Sequence, residues 1–198
     1  HDGEHGAAEA LTGACSLEAV STASPMGVDL AGGGQALARA ELALAGEVGR
    51  ELALRKAISA ATVGRWRLVV VDCPPTLGVL TVNALVAADA VLVPVSPSYL
   101  GVSAVRIFAA TVETVRKRLN RKLRAPWYFL SAVDGRERAA VDARAILAAY
   151  AGDMGAVLPE VRVDARLKAA PVDGRLATGR GADDLAKLSR AVLKQAAF

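Results

Sequence analysis

Four apolar residues at positions 68–71, LVVV, stand directly ahead of Asp72, and Cys73 is followed by Pro74 and Pro75. A run that is apolar at every position predicts a strand buried on both faces. The paired prolines stop it, because proline has no N–H to give to a ladder. A carboxylate at the carboxyl end of such a strand is placed to order a magnesium ion, or the water around it, beside phosphate groups, which is the chemistry of nucleotide hydrolysis. An aspartate that caps a turn is an equally simple reading of the same residues. Asp72 is therefore the candidate cofactor-binding residue and the indirect magnesium residue.

Such a carboxylate needs a phosphate cradle near it. A cradle takes glycines, whose amides can approach phosphate, then a lysine for the outer phosphates and a Ser or Thr for the metal. No lysine in the sequence follows a glycine, and the first lysine, Lys56, lies inside a helical pattern. Gly32, Gly33 and Gly34 fall between a short strand and a helix, and helix N-termini attract anions. The stretch has neither lysine nor hydroxyl residue and reads as a plain turn.

A second concentration of chemistry is RKRLNRKLR at 116–124, with six cations and no anion in nine residues. The dipole of a helix C-terminus favours Lys117 and Arg118, but it does not need all six. Residues 1–64 hold 4 Lys/Arg against 8 Asp/Glu, so residues 65–198 hold the remaining 20 against 12, and the two parts carry −4 and +8. A basic part of this kind suits phosphate on nucleic acid or an acidic surface, or is simply a solvated basic face. Cys15 and Cys73 have no metal-type spacing and read as packing residues, which favours the cytoplasm. No apolar run reaches the roughly 18 to 20 residues of a membrane span, and no signal or transit peptide is visible, so a soluble chain is expected. The first residue is His1 rather than Met, which suggests a tag remnant, a processed end or an excised piece. His1 and His5 then read as terminus, not as metal ligands.

The elements that must position these residues follow from periodicity. GAAEALTG and SLEAVSTASP read as short helical pieces ending at Gly13 and Pro25, and MGVDLAG as a brief strand. Residues 35–60 predict a long amphipathic helix with weak glycines, its face formed by Leu37, Leu44, Val48 and Leu52. Then come a helix over 80–88, the strand AVLVPVSPS, and a helix over 101–119 with Val105, Phe108, Val112, Val115 and Leu119 inward. A strand at 127–133, a helix at 137–151, a weaker strand AVLPEVRV broken by Pro159, and a terminal helix at 182–197 complete the chain. Fully apolar strands alternating with helices predict an α/β fold, a mostly parallel sheet with helices on both faces, in one domain over residues 1–198. Open sheets of this kind bind ligands beyond the carboxyl ends of their strands, where Asp72 is expected.

The run from Asp72 onward, DCPPTLGVLTVNALVAADAVLVPVSPSYLGVSAV, strongly resembles the ParA/Soj family of chromosome- and plasmid-partitioning ATPases, the deviant Walker A group. Further matches are KRLN at 117–120, Asp134 with Arg136 in SAVDGRER, ARLKAAPVDG at 165–174, and GADDLAKL before the last helix; GAAEALTG and AGGGQALARAELAL also resemble the family. The resemblance covers almost the whole chain. It implies a P-loop NTPase-like fold of ParA/MinD type, with ATP and magnesium as the family's cofactors and Asp72 as the Walker B-like carboxylate, vestigial if no nucleotide binds. In the family the P-loop, its strand, and a second strand ending in aspartate all precede the point where this sequence begins. The expectation is thus an N-terminally incomplete domain without the first strand and P-loop, and with no cofactor of its own. Arg162 stands where the family has a proline bordering the nucleotide base, whereas Arg166, Ala170, Pro171 and Gly174 keep the pattern.

The family binds DNA without sequence preference through basic residues of its C-terminal half. By resemblance DNA contact falls to Arg166, with Arg136 and Arg138 in matching regions. From charge alone it falls to Arg116, Lys117, Arg118, Arg121, Lys122 and Arg124. The leading reading is a ParA-like partitioning protein, cytoplasmic and nucleoid-associated, that binds DNA non-specifically and does not hydrolyse ATP. Its expected partners are non-specific DNA, further copies of itself, and a ParB-like or full-length ParA protein. One alternative is the later part of an active ParA ATPase whose P-loop lies upstream. Another is a membrane-associated, MinD-like protein resting on Leu185, Leu188 and Val192 of the last helix; packing on the sheet explains that stripe more simply, so no membrane partner is expected.

Overall fold

The computed structural model describes residues 6–61 and 65–196. The chain divides into two compact units, one made of residues 1–88 and 118–121, the other of residues 89–117 and 122–198.

The second unit is built around one strand. β3 (Leu92–Val95) and β4 (Trp127–Val133) pair in parallel, Leu92 opposite Trp127, and β4 pairs on its other edge with the short parallel strands β5 (Ala156–Val157) and β6 (Val161–Arg162). Pro159 divides the single strand expected there into these two, because it cannot donate to the ladder. Parallel neighbours need crossover helices, and α5 (Tyr99–Arg118) and α6 (Arg138–Met154) supply them, as their apolar spacing predicts. Side chains of β4 alternate between two buried faces. Tyr128 and Leu130 pack with Val102 and Val105 of α5 and with Ala140, Ala143 and Leu147 of α6. Trp127 and Phe129 pack with Leu158, Val161, and Leu188 and Ala196 of the last helix, α8 (Arg180–Ala196). The parallel sheet covered on both faces is thus present.

Near its carboxyl end β4 carries an irregularity. Its pairing with β6 shifts between Ser131 and Val133, and Ala132 adopts φ 59°, a left-handed conformation uncommon outside glycine. The bulge re-aims the loop that follows. Another helix, α7 (Ala165–Asp173), has no counterpart among the elements read from periodicity, since Pro171 lies inside it. Asp164 supplies its cap, accepting the Arg166 N–H at 2.9 Å, and with its other oxygen it accepts the Gly181 N–H of α8 at 2.9 Å.

In the first unit, α1 (Ala7–Thr12) ends at left-handed Gly13 as expected. Residues 16–25 do not continue as a helical piece. Instead β1 (Thr22–Ala23) pairs antiparallel with β2 (Asp29–Leu30), and Gly27 at φ 77° supplies the reversal between them. The long helix expected over 35–60 is also divided, into α2 (Ala36–Ala45), a 3-10 turn (Arg50–Leu52) and α3 (Ala53–Ala61). Gly46 ends α2, and Gly49 at φ 74° turns the chain, which leaves Val48 fully exposed rather than inward. The helix α4 (Val79–Ala87) is tied to that turn by Asn83, which is 1% exposed: its Nδ2 donates to Arg50 O at 2.8 Å and Val79 O at 3.0 Å, and its Oδ1 accepts the Leu54 N–H at 3.1 Å. The buried Asn120 donates to Leu85 O and Ala88 O, at 3.0 and 2.7 Å, satisfying carbonyls that the end of α4 leaves over.

The buried strand predicted at residues 68–72 is not formed. The segment joins no sheet among the described residues, and Leu68 is 54% and Val70 82% exposed. An apolar run becomes a buried strand only when neighbours take up its backbone groups and both its faces, and among the described residues none pairs with it.

α8 is fastened to β6 by one ion pair: Asp184, 5% exposed, accepts from Arg162 Nε at 2.5 Å and Nη2 at 3.0 Å. The guanidinium beside it holds the Asp184 carboxyl below its ordinary 3.8, an effect that outweighs burial. A carboxyl depressed in the fold contributes stability that is present above its unfolded value and is lost as pH falls through and below it. Resistance of the chain to urea should therefore fall below about pH 4, and Asp184→Asn should flatten that part of the profile while lowering stability at neutral pH. Identical acid slopes for the two proteins would disprove the role.

Candidate functional site

Asp72 lies on the exposed, unpaired segment just described. Among the described residues no group of three or more His, Cys, Asp or Glu side chains is placed to hold a metal ion. The glycine turn at 32–34 is likewise a turn: Gly32 O accepts the Ala7 N–H at 2.8 Å, Gly34 takes φ 57°, and α2 begins without a side-chain cap. Neither lysine nor hydroxyl stands there to meet phosphate. Among the described residues, Asp72 and the glycine turn do not bring together the lysine, hydroxyl and carboxylate that hold magnesium and a nucleoside triphosphate.

Chemistry gathers instead at the carboxyl ends of β4 and β6, where an irregular crevice of about 430 Å³ is lined by Val133, Asp134, Arg136, Arg144, Glu160, Arg162 and Asp184, among others. Three arginines each grip a carboxylate with two nitrogens. Arg136 holds Asp134 at 3.0 and 2.8 Å, Arg144 holds Glu160 at 2.7 and 2.8 Å, and Arg162 holds Asp184. Paired forks of this kind are strong and directional. The Arg136 side chain, with help from its own N–H, pulls the Asp134 carboxyl down to about 2, and Arg144 lowers Glu160. The arginines thus hold the three acids in their charged form, as ion pairs that join α6, β6, α8 and the loop after β4. Sequence reading singled out Asp134, Arg136 and Arg162 but not Arg144 and Glu160. These last two are 16 residues apart, and only the parallel topology brings them together.

The cations expected to meet DNA separate into two groups. Arg116 donates to Glu113 at 2.9 Å and to Leu123 O, Lys117 pairs with Glu113 at 3.3 Å, and Arg124 donates to Gln195 O. Arg136 is held by Asp134 although its side chain is 90% exposed. Lys122 also has an interaction within the fold. Arg118, Arg121, Arg138 and Arg166 are exposed; among the described residues no carboxylate forms an ion pair with the first three, while Arg166 lies near Asp164 and helps to lower its carboxyl. The run of six is thus partly structural: Leu123 within it is 1% exposed, and only part of its charge is left for a partner.

Of the stripe read on the terminal helix, Leu188 and Val192 turn inward, whereas Leu185 is left 40% exposed. Leu188 is 4% exposed against Trp127 and Phe129, and Val192 packs on the same cluster. No helix among the described residues is long and apolar enough to cross a membrane.

Comparison with known proteins adds an independent line. Residues 4–125 match the family described as AAA domain. The chain is 37% identical over 100 residues to the sporulation initiation inhibitor protein Soj of Bacillus subtilis, covering 50% of this chain and 39% of that protein. It is 34% identical over 160 residues to the chromosome partitioning protein ParA of Caulobacter vibrioides, covering 79% and 58%. The chain thus spans between about two fifths and three fifths of these relatives. Among solved structures, cobyrinic acid a,c-diamide synthase from Mycobacterium smegmatis with bound ATP analog and magnesium superposes with a TM-score of 0.71 at 27% identity, over 88% of this chain and 76% of that one. A putative plasmid partition protein of Borrelia burgdorferi bound to AMPPNP gives 0.78 over 97% and 75%, and at 13% identity speaks for the fold alone. With its domain match, its partitioning relatives and a P-loop NTPase-type parallel sheet, the chain belongs to the ParA/Soj family.

Proposed function

We propose that residues 1–198 act as one ParA-like partitioning domain, in the cytoplasm and on the nucleoid, that binds DNA without sequence preference and does not itself hydrolyse ATP. The observation that carries the DNA reading is the set of exposed arginines outside any ion pair among the described residues, Arg118, Arg121 and Arg138, in a part of the chain with an excess of eight positive charges. Phosphates are the partner that such charge accepts irrespective of base sequence. Copies of the chain and a ParB-like or full-length ParA protein are the further partners of this reading.

A second reading makes the same residues the later part of an active ParA ATPase. The exposed run at 68–71 favours it, since an apolar strand without neighbours fits a sheet completed by other chain. Assaying hydrolysis by the product of the whole reading frame beside the 198-residue polypeptide separates the two.

The polypeptide of residues 1–198 should show no magnesium-dependent ATP hydrolysis, because phosphoryl transfer depends on groups that neutralise developing charge, and Asp72 alone does not supply them. Turnover above blank that vanishes in Asp72→Ala would refute this. The unpaired edge at 68–72 should also drive self-association without nucleotide, seen as a dimer or larger species by light scattering at on the order of tens of micromolar. A monomeric mass under those conditions counts against it. Finally, if about five phosphates are neutralised, log affinity for duplex DNA should fall with log salt at a slope near −4.5, roughly 500-fold between 50 and 200 mM. Random and AT-rich duplexes should behave alike in an anisotropy titration, and no binding at about 50 mM salt would sink the reading.

A further inference from the structure

Val102, Val105, Ala109, Val112 and Val115 turn one face of α5 into the core. The opposite face is bare, although it is not especially polar. Leu100 is 77% and Ile107 67% exposed, and Ser103, Ala110, Thr114 and Lys117 lie exposed in line with them. From Leu100 to Lys117 these residues succeed one another at steps of three, four, three, four and three. That is the spacing of a coiled-coil seam, with Leu100, Ile107 and Thr114 at a and Ser103, Ala110 and Lys117 at d. The hydroxyls along it already have partners on their own helix: Ser103 Oγ donates to Leu100 O at 3.0 Å and Thr114 Oγ1 to Ala110 O at 2.9 Å. An open hollow of about 700 Å³ runs along the same face, lined by Ser103, Arg106, Ile107, Ala110, Thr111 and Thr114.

Charge says what the seam can receive. Arg106 and Glu113 flank it at successive g positions, seven residues apart and opposite in sign. Arg106 forms no ion pair among the described residues, and Glu113 is 45% exposed, with Arg116 and Lys117 reaching it from the next turn. When two such helices lie antiparallel, g positions face g positions across the seam. A two-fold pair of α5 helices therefore brings Arg106 of each copy beside Glu113 of the other. In the same register Ile107 packs on Ala110, Ser103 meets Thr114, and the Lys117 stem covers Leu100 at each end. Sliding by one heptad sets Arg106 against Arg106 or Glu113 against Glu113, so the charges select one register. A parallel pair would leave Arg106 facing Thr111.

We propose that two copies of the chain associate through α5 as an antiparallel, two-fold helix pair with reciprocal Arg106–Glu113 contacts. A patch that faces itself across a two-fold axis closes into a dimer. The pair rests on the reading above that copies of the chain are partners, and it gives them a face separate from the edge at 68–72.

The test is sedimentation equilibrium of the 198-residue chain over a concentration series, with circular dichroism to confirm that each variant keeps its helix content. Arg106→Glu and Glu113→Arg each turn two attractive contacts into repulsive ones and should weaken association by about tenfold. Combined, the two reversals rebuild the contacts with their signs exchanged and should restore association to within about threefold of the unaltered chain. Ile107→Glu, which sets a carboxylate at the centre of the seam, should weaken it at least as much as either single reversal. Single reversals without effect, or a double reversal no better than the singles, overturn the helix pair. Association that survives every α5 variant and is lost in Val70→Lys belongs to the edge, which overturns the pair and leaves self-association standing. An unaltered chain that stays monomeric throughout removes both.

Discussion

The second unit depends on the enclosure of β4. That strand is apolar along most of its length, and such a strand is stable only when both edges are hydrogen-bonded and both faces are covered. β3 takes one edge and β5 with β6 the other; α5 and α6 cover one face and α8 the other. The crevice follows from this enclosure. Arg144 belongs to a covering helix, Glu160 and Arg162 to the far edge, Asp184 to the opposite covering helix, and Asp134 to the loop that the bulge at Ala132 turns aside. Remove the enclosure and no two of those pairs share a neighbourhood.

Residues 68–72 show the same constraint from its other side. LVVVD and WYFLSAV are both largely apolar runs, yet one is exposed and outside any sheet and the other is the most buried strand described. Side-chain type alone predicts a buried strand for both. The difference lies in what stands alongside, which is a property of topology and not of the run itself. An isolated apolar strand is therefore an incomplete inference until its neighbours are identified.

The same limit explains which parts of the fold were legible. β3, α4, α5, β4, α6 and α8 were readable because each has its own period and its own punctuation: prolines after residue 73, Asn83 and Leu85 in a helical run, a final amphipathic stretch. The break between α2 and α3 was not. Gly46 and Gly49 are tolerable in a helix at a cost of about 1 kcal/mol each, and only the bond set of Asn83 rewards ending α2 there. α7 was hidden by Pro171, and β1 by a stretch, SLEAVSTASP, whose local preference is helical. The site was legible in the same measure: residues adjacent in sequence, such as Asp134 and Arg136, could be singled out together, and partners joined across strands, such as Arg144 and Glu160, could not.

Charge behaves in the opposite way to packing, because what counts is what the fold fails to pair. Within the second unit Glu113, Asp134, Glu160 and Asp184 are all committed to arginines or a lysine of the same unit. Each such pair is neutral and adds little to the field outside. Excess charge is left on the cations that the described residues do not match, and these include Arg138, Arg190 and Lys194. A run of cations in sequence, such as 116–124, overstates what is available, since half of it is tied to Glu113 and to backbone carbonyls. The positive charge that the second unit turns to solvent is therefore defined by subtraction: from all its basic residues, those that the fold has already used are removed, and what remains faces solvent with its charge intact.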